Sequence, residues 1–531
     1  MNKTWKKIGA LMLCAGLTFG MAACGGEEVD ENFKDDGEFY TIKWYMPVNT
    51  IQAPADLGTV QQKVNEYLVE KINAKVDITA YNFSEYSGKM NTKVANAEEF
   101  DLIWTDFESI ARYNEMEALY PLDALLPEYA PDAWNKFPSE FWDQVRNPLD
   151  DKIYSVINNQ ILPRSFGIEV RDNDYYQEYL VDQASVILAN ATNTVDATDP
   201  YAVQDYVADN FTLDSKLDVM ENYLAWLRTN KSGENESCGG ITWGMELLYV
   251  LEGLGFDALG MSMSVPGVVR ADETGKLTVI NQFETEEFKT LINRMAEWYQ
   301  EGWIPADVAS GSYSQTSTDM GSSRTWTPNY VTTFTQGGKK RNREVMRFGD
   351  PYYIASYISG TMWSVSATSA NPARTLKFIN LLHTDSYLHN LLKLGVEGTH
   401  YSVDTNGQAH LESKSSRYCL EGVRWIFGDE TIGITLDTQD KNVYTEVKKI
   451  NDETPLSQTI GFTFDRTNVM TEIQLSSQVV TKYISNLGCG EQLTKVPTYY
   501  NDFIAELNAN YCDKVIEEKQ KQLDAWLATQ A

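Results

Sequence analysis

Histidine is nearly missing from this chain: His383, His389, His400 and His410 are the four in 531 residues. None lies in an H-E-x-x-H pattern. His383 and His389 are six apart, which puts them on different faces of a helix and makes them poor partners for one metal ion. There is no G-x-S-x-G elbow and no phosphate-binding P-loop, and the glycines of "GLGFDALG" (253–260) have the wrong spacing for a dinucleotide fold. Positive charge is also short. Lys and Arg total 44 against 75 Asp and Glu, a net charge of −31, which argues against nucleic acid as a partner because phosphate would be repelled. Acid pairs such as Asp172 and Asp174 are so common here that they carry no weight for glycosidase chemistry. Cysteine is sparse. Cys238, Cys419, Cys489 and Cys512 follow Cys14 and Cys24. Their spacing suggests no zinc site, and both disulfides and buried thiols stay open for an exported chain. Nor is there a long hydrophobic run: the apolar stretch from Ile8 to about Gly20 is too short for a comfortable membrane span.

What is present begins at the amino terminus. Lys3, Lys6 and Lys7 precede that apolar stretch, and Ala22 and Ala23 precede Cys24, the layout of an export signal over 1–23. "GMAAC" resembles the lipobox of bacterial lipoproteins, with Met21 where leucine is usual. The resemblance implies cleavage before Cys24 and lipid on that cysteine; ordinary secretory cleavage after Ala23 is the alternative. From Glu27 to Glu38 acids dominate, so residues 24–38 read as a lipid anchor followed by a disordered, self-repelling tether.

The body has 43% hydrophobic and 12% aromatic residues, enough for a substantial core and more than one domain. "FYTIKWYMP" reads as a strand. Leu57, Val60, Val64 and Leu68 then recur at helical spacing behind a candidate cap, Asp56. "AKVDITAY" is a strand, Tyr86, Met90 and Val94 mark a helix, and "FDLIWTD" is a third strand. This β-α-β-α-β order predicts a parallel, right-handed α/β sheet. Further on, "YVTTFT" and "YIASYISGTMWSVSAT" carry strand signals. Asn371-Pro372 opens a helix and Gly395 closes the next. The last thirty residues are helical.

Several segments together resemble a family: the lipoprotein start, "IKWYMP", "EYLVEKINAKVDITAYNFSEYSGKMNTKVANAEEFDLIWT", "NPARTLKFINLLHTDSYLHNLLKLGVEGTHY" and the closing "TIGFTFD…KQKQLDAWLA". They are similar to the extracellular solute-binding lipoproteins of bacterial ABC importers, in a group with a carboxy-terminal extension associated with oligosaccharide or peptide uptake. The resemblance implies a two-lobe, periplasmic-binding-protein-like α/β fold with a hinge and a helical extension. By that pattern 39–158 plus 320–362 form lobe one and 159–319 plus 363–531 form lobe two. "YSVINNQ" and "MWSVSAT" would be the crossings.

Ligands of open α/β sheets sit beyond the carboxyl ends of the strands. Trp44 and Tyr45 are read as ending strand one, and Trp104, Thr105 and Asp106 as ending strand three. A sugar needs aromatic platforms for its C–H faces and planar polar groups for its hydroxyls. Trp44, Tyr45 and Trp104 suit the first need, Asp106 and Asn159 the second, with Trp243, Trp326 and Trp363 as further candidates. Core packing is the alternative for each indole, and a helix cap for Asp106. A peptide would instead need charge capture; Lys339, Lys340, Arg341 and Arg343 form the dense basic run, which is otherwise a solvated loop. The expected function is capture of an oligosaccharide by a monomeric, lipid-anchored receptor that hands it to a membrane permease, without chemistry or cofactor. Peptide capture and a surface glycosidase are the alternatives.

Overall fold

The computed structural model describes residues 30–530 apart from 164, 171–172, 232–239, 242–246, 309, 311, 313–319, 327–333, 337–338 and 342–343. Ile42, Trp44 and Met46 point into the core from β1 (Tyr40–Val48), alternating with the less buried Thr41, Lys43 and Tyr45. Helix α1 (Leu57–Ile72) buries Val60, Val64 and Leu68, the stripe its spacing predicts, and ends on Asn73 in the left-handed region. Strand β2 (Ala74–Asn82), helix α2 (Phe83–Ala95), strand β3 (Leu102–Thr105) and helix α3 (Phe107–Glu115) follow. β1 pairs in parallel with both β2 and β3, as the β-α-β-α-β reading requires. Asp56 does precede α1, but its carboxylate is taken by Arg417 rather than by the helix.

After β4 (Ser155–Ile157) the chain leaves this sheet and enters a second one. There β5 (Ser165–Val170) is flanked by β6 (Met320–Trp326) and β7 (Glu344–Arg347), both antiparallel to it. Helices α4 (Asn173–Asp182), α5 (Leu213–Asn230) and α6 (Glu286–Gln300) pack there. The chain then returns to the first sheet as β8 (Met362–Val365), antiparallel between β3 and β4, so the first sheet runs β2-β1-β3-β8-β4. Helix α7 (Pro372–Thr384), capped by Asn371, and helix α8 (Ser386–Leu394), stopped by Gly395, lie on it. Their Phe378, Ile379, Leu382, Leu388 and Leu392 join the core of Trp44 and Trp363. Helices α9 (Met470–Gly488) and α10 (Tyr499–Ala509) go back to the second core, beside Met220, Leu291 and Trp298. Helix α11 (Cys512–Gln530) covers a small third core of Leu259, Val269, Phe462 and Phe464. No described helix is long and apolar enough to cross a membrane.

These connections divide the chain differently from the sequence expectation. Residues 320–326 and 344–347 pair with β5 in the second lobe, not with lobe one. Residues 372–427 pack on the first sheet, not in lobe two. The reason is a third crossing, 454–469, beyond the two expected, which lets the chain visit the first lobe a second time. Asn451 staples the three crossings together. Its amide accepts from Leu162 N (3.2 Å) and donates to Gln160 O (2.7 Å), and its own carbonyl accepts from Tyr353 OH (2.7 Å). Tyr353 also bridges Leu456 through backbone hydrogen bonds.

Two further expectations change. The segment "YIASYISG" contains a short helix, Ala355–Ile358, before β8 rather than continuous strand. Residues 30–38, read as part of a disordered tether, are packed on the first lobe: Phe33 rests on its core, and Asp35 is ion-paired with Arg374. The acids that looked self-repelling have cations from elsewhere in the chain to meet.

The extension is locked in by Lys519, fully buried on α11, which donates to Gly267 O (2.7 Å) and Ala258 O (3.1 Å). Burial pushes its ammonium down to about 7, against the pull of Asp257. Asp257, itself buried, accepts from Thr459 Oγ1 (2.5 Å) and Leu259 N (2.8 Å).

Candidate functional site

The carboxyl ends of β1, β2, β3 and β4, and the start of the antiparallel β8, meet along one edge of the first sheet, facing the crossings. Trp104, one residue from the end of β3, is half-buried there. Its indole N–H donates to Thr361 Oγ1 (2.8 Å), immediately before β8, and its backbone N–H donates to the buried Tyr86 hydroxyl (2.8 Å). Two other half-buried rings join it. Phe83 opens α2 at the end of β2, and Trp425 lies in a 3-10 turn (Glu421–Ile426) bent at Val423. Phe83 and Trp425 stack at 5.6 Å with their planes 24° apart. Trp104 stands edge-on to both, at 5.7 and 6.2 Å. The result is an aromatic corner with polar neighbours: Thr361 also accepts from Asn158 Nδ2 (3.1 Å).

The residues singled out from the sequence fall into distinct places. Trp44 and Trp363 are wholly buried behind the corner. β1 runs four residues past Trp44, to Val48, so Trp44 is mid-strand and faces inward instead of ending the strand at the ligand edge. It meets Trp363, Phe378 and Phe427 edge-on at 5.2–6.3 Å. Trp363 donates its indole N–H to Ile426 O (2.5 Å), next to Trp425. These two indoles thus prop the wall and do not form its surface. Tyr45 faces the other side of the sheet, parallel to Tyr81 at 6.2 Å and beneath the Lys93 ammonium. Asp106 caps α3: its carboxylate accepts from Ser109 N (2.8 Å), and Ser109 Oγ accepts from Asp106 N (2.9 Å). Asn159 ties the first crossing to the 428–430 turn, donating from its backbone to Gly428 O (2.6 Å) and accepting from Glu430 N (3.0 Å). Its side chain meets Asp429, which also pairs with Lys136. Trp326 ends β6 opposite Ser165, and only its backbone is described. Trp243 and Cys24 lie outside the described residues.

Sequence reasoning missed Phe83, Trp425 and Thr361. Phe83 is within reach of the sequence, since it directly follows a strand that "AKVDITAY" makes legible. Trp425 had no periodic pattern around it, because a kinked 3-10 turn has none.

A cavity between the lobes lies on the opposite face of the sheet. Its volume is about 110 Å³, and it is bounded by α3, residues 144–149, Leu259–Ser262 and Thr463–Thr467. Met362, which alternates with Trp363 along β8, contributes to it, and neighbouring residues of a strand point to opposite faces. Arg466 closes one end with an ion pair to Glu115 (2.7 Å).

Three of the four histidines, His383, His389 and His400, are fully buried, while His410 is exposed and pairs with Asp437 (2.7 Å). Burial pushes His383 and His389 down to about 3, with Lys136 and Lys393 adding to the effect, so both are neutral. His400 Nδ1 accepts from Val396 N (2.9 Å) and braces the turn after α8. Cys419 and Cys512 are free thiols, and burial raises Cys512 to about 11.

Comparison with known proteins agrees with this architecture. Among solved structures, the N-glycan transport solute binding protein NgtS of Streptococcus pneumoniae is similar to this chain, with a TM-score of 0.70, 18% identity, and coverage of 92% of this chain and 100% of that one. The fold is that of an ABC-transporter solute-binding protein. FusA, an ABC-transporter substrate binding protein of S. pneumoniae solved with kestose, shares this solute-binding fold at a TM-score of 0.55 and 12% identity, with 92% and 100% coverage. In sequence, a protein of S. pneumoniae serotype 4 named "Carbohydrate ABC transporter substrate-binding protein" is 23% identical over 559 aligned positions, spanning 99% of both chains. Residues 458–528 match a domain of unknown function, DUF3502; they include the last part of the third crossing, α9, α10 and most of α11. These relatives are named as substrate- or solute-binding proteins of transport systems.

Proposed function

We propose that this chain is the extracytoplasmic receptor of an ABC importer, anchored through a lipid on Cys24, and that it captures an oligosaccharide between its lobes. The observation that carries the reading is the corner of Phe83, Trp104 and Trp425 at the ligand edge of the first sheet. Two half-buried rings stack and one stands across them, which suits the C–H face of a pyranose, while the buried Thr361 and Asn158 hold Trp104 in place from behind. The relatives support the same class of ligand: NgtS was solved with Man1GlcNAc and with Man5GlcNAc, and FusA with kestose. Closure of the second lobe would bury the sugar and desolvate its hydrogen bonds together. The receptor acts as a monomer and delivers its cargo to a separate permease.

Calorimetric titration against a panel of N-glycan fragments, fructo-oligosaccharides and short peptides tests this. Binding of a glycan by the wild type, weakened in Trp425→Ala, is expected. Binding confined to a peptide, or glycan binding untouched by both Trp104→Ala and Trp425→Ala, would remove the corner from the site.

A further inference from the structure

Residues 30–38 form a strap across the first lobe, made of contacts from four separate parts of the chain. Asp35, with its side chain 3% exposed, is gripped by Arg374 through Nη2 to Oδ1 (2.7 Å) and Nε to Oδ2 (3.0 Å), a two-point ion pair, and by Lys377 (2.7 Å). Arg374 also donates to Glu38 O (3.0 Å) and Asn73 O (2.8 Å), and Asn73 Nδ2 donates to Gly37 O (3.0 Å). Upstream, Lys34 pairs with Glu128 (2.6 Å), Glu31 with Lys152 (2.5 Å), and Tyr120 OH donates to Asp30 O. Burial opposes ionisation of Asp35, and the hydrogen bonds from Arg374 and Lys377 outweigh it, holding the carboxyl well below its usual range. Every one of these partners belongs to the first lobe.

We infer that the strap makes the first lobe the membrane-facing half of the receptor, an inference that rests on the Cys24 anchor proposed above. Were residues 24–38 a free tether, the body would stand up to about 50 Å from its lipid at about 3.5 Å per residue. With the strap docked from Asp30 onward, the covalent chain between Cys24 and the lobe can span at most about 20 Å. The strap enters beside Tyr120 and Lys152, so that side of the first lobe is held next to the lipid surface. Among the described residues the strap makes its ion pairs and hydrogen bonds with the first lobe, which leaves the second lobe as the half that would swing.

Two measurements on the full-length, lipid-bearing protein in phosphatidylcholine vesicles test this. The first is tryptic cleavage after Lys34, with a synthetic peptide of residues 27–38 as reference. The docked strap is expected to be cut at least a hundredfold more slowly than the peptide, and Asp35→Asn to recover at least tenfold of that. Cleavage of the wild type at the peptide's rate would overturn the strap. The second is energy transfer to headgroup acceptors from a dye at Leu149→Cys, in the loop of Lys152, or at Val186→Cys on the second lobe, both exposed positions. Several-fold stronger transfer from position 149 is expected; equal transfer would overturn the orientation. Flotation of wild type against Cys24→Ser reads the anchor separately. Wild-type protein that fails to float overturns the anchor and, with it, the membrane-facing assignment, whatever trypsin reports about the strap.

Discussion

Trp44 and Trp104 look alike in the sequence, each an indole within a hydrophobic strand. Their environments are opposite. Trp44 is enclosed by three aromatic partners, so Trp44→Ala is expected to cost about 3–5 kcal/mol of folding free energy, read as a large drop in the denaturation midpoint. Trp104 is half-buried at the sheet edge, so Trp104→Ala is expected to leave most of the stability intact and cost about 2 kcal/mol of glycan binding, roughly thirtyfold in Kd by calorimetry. Asp106 behaves as a cap. Asp106→Ala should lose about 1 kcal/mol of stability, visible in thermal denaturation without ligand. The difference between the two tryptophans was hidden in the sequence because a strand end cannot be placed to within a residue or two from propensity. β1 continues through Pro47, which is tolerated because β1 meets β3 only at Trp44 and Tyr45, leaving no ladder bond for Pro47 to break on that side.

At the scale of elements, local signals were reliable where one stretch of chain builds its own unit. The parallel β1-β2-β3 arrangement, the Asn371 cap, the Gly395 stop and the apolar faces of α1 and α7 were all legible from spacing and capping residues. What was not legible depends on meetings between distant segments: the return of residues 372–427 to the first sheet, the docking of Asp35 on Arg374, and the 3-10 turn carrying Trp425. The extension illustrates the same point. Lys519 reads as one more charge on a polar helix, yet it is the buried pin of α11. Its pKa falls from the ordinary 10.5 to about 7 on folding, so the unfolded chain binds more protons between those values. Stability is therefore expected to rise with pH across roughly 7 to 10.5 by this group's contribution. Urea denaturation of wild type and Lys519→Met over that range checks it; the slope should flatten in the variant.

Over the whole molecule, the two lobes are joined by three crossings held together at Asn451. Asn451→Ala removes one acceptor and one donor at the centre of that junction and strands Leu162 N and Gln160 O. It is expected to cost about 1–3 kcal/mol of stability, read by chemical denaturation, and to change glycan affinity although it lies away from the aromatic corner. A lobe pair linked by one strand could twist, slide or tilt. Three segments tied together at Asn451 restrict the pair to a door-like swing. On the receptor function proposed above, the state of the protein would be described by one angle, and a permease would need to sense nothing else to tell loaded from empty.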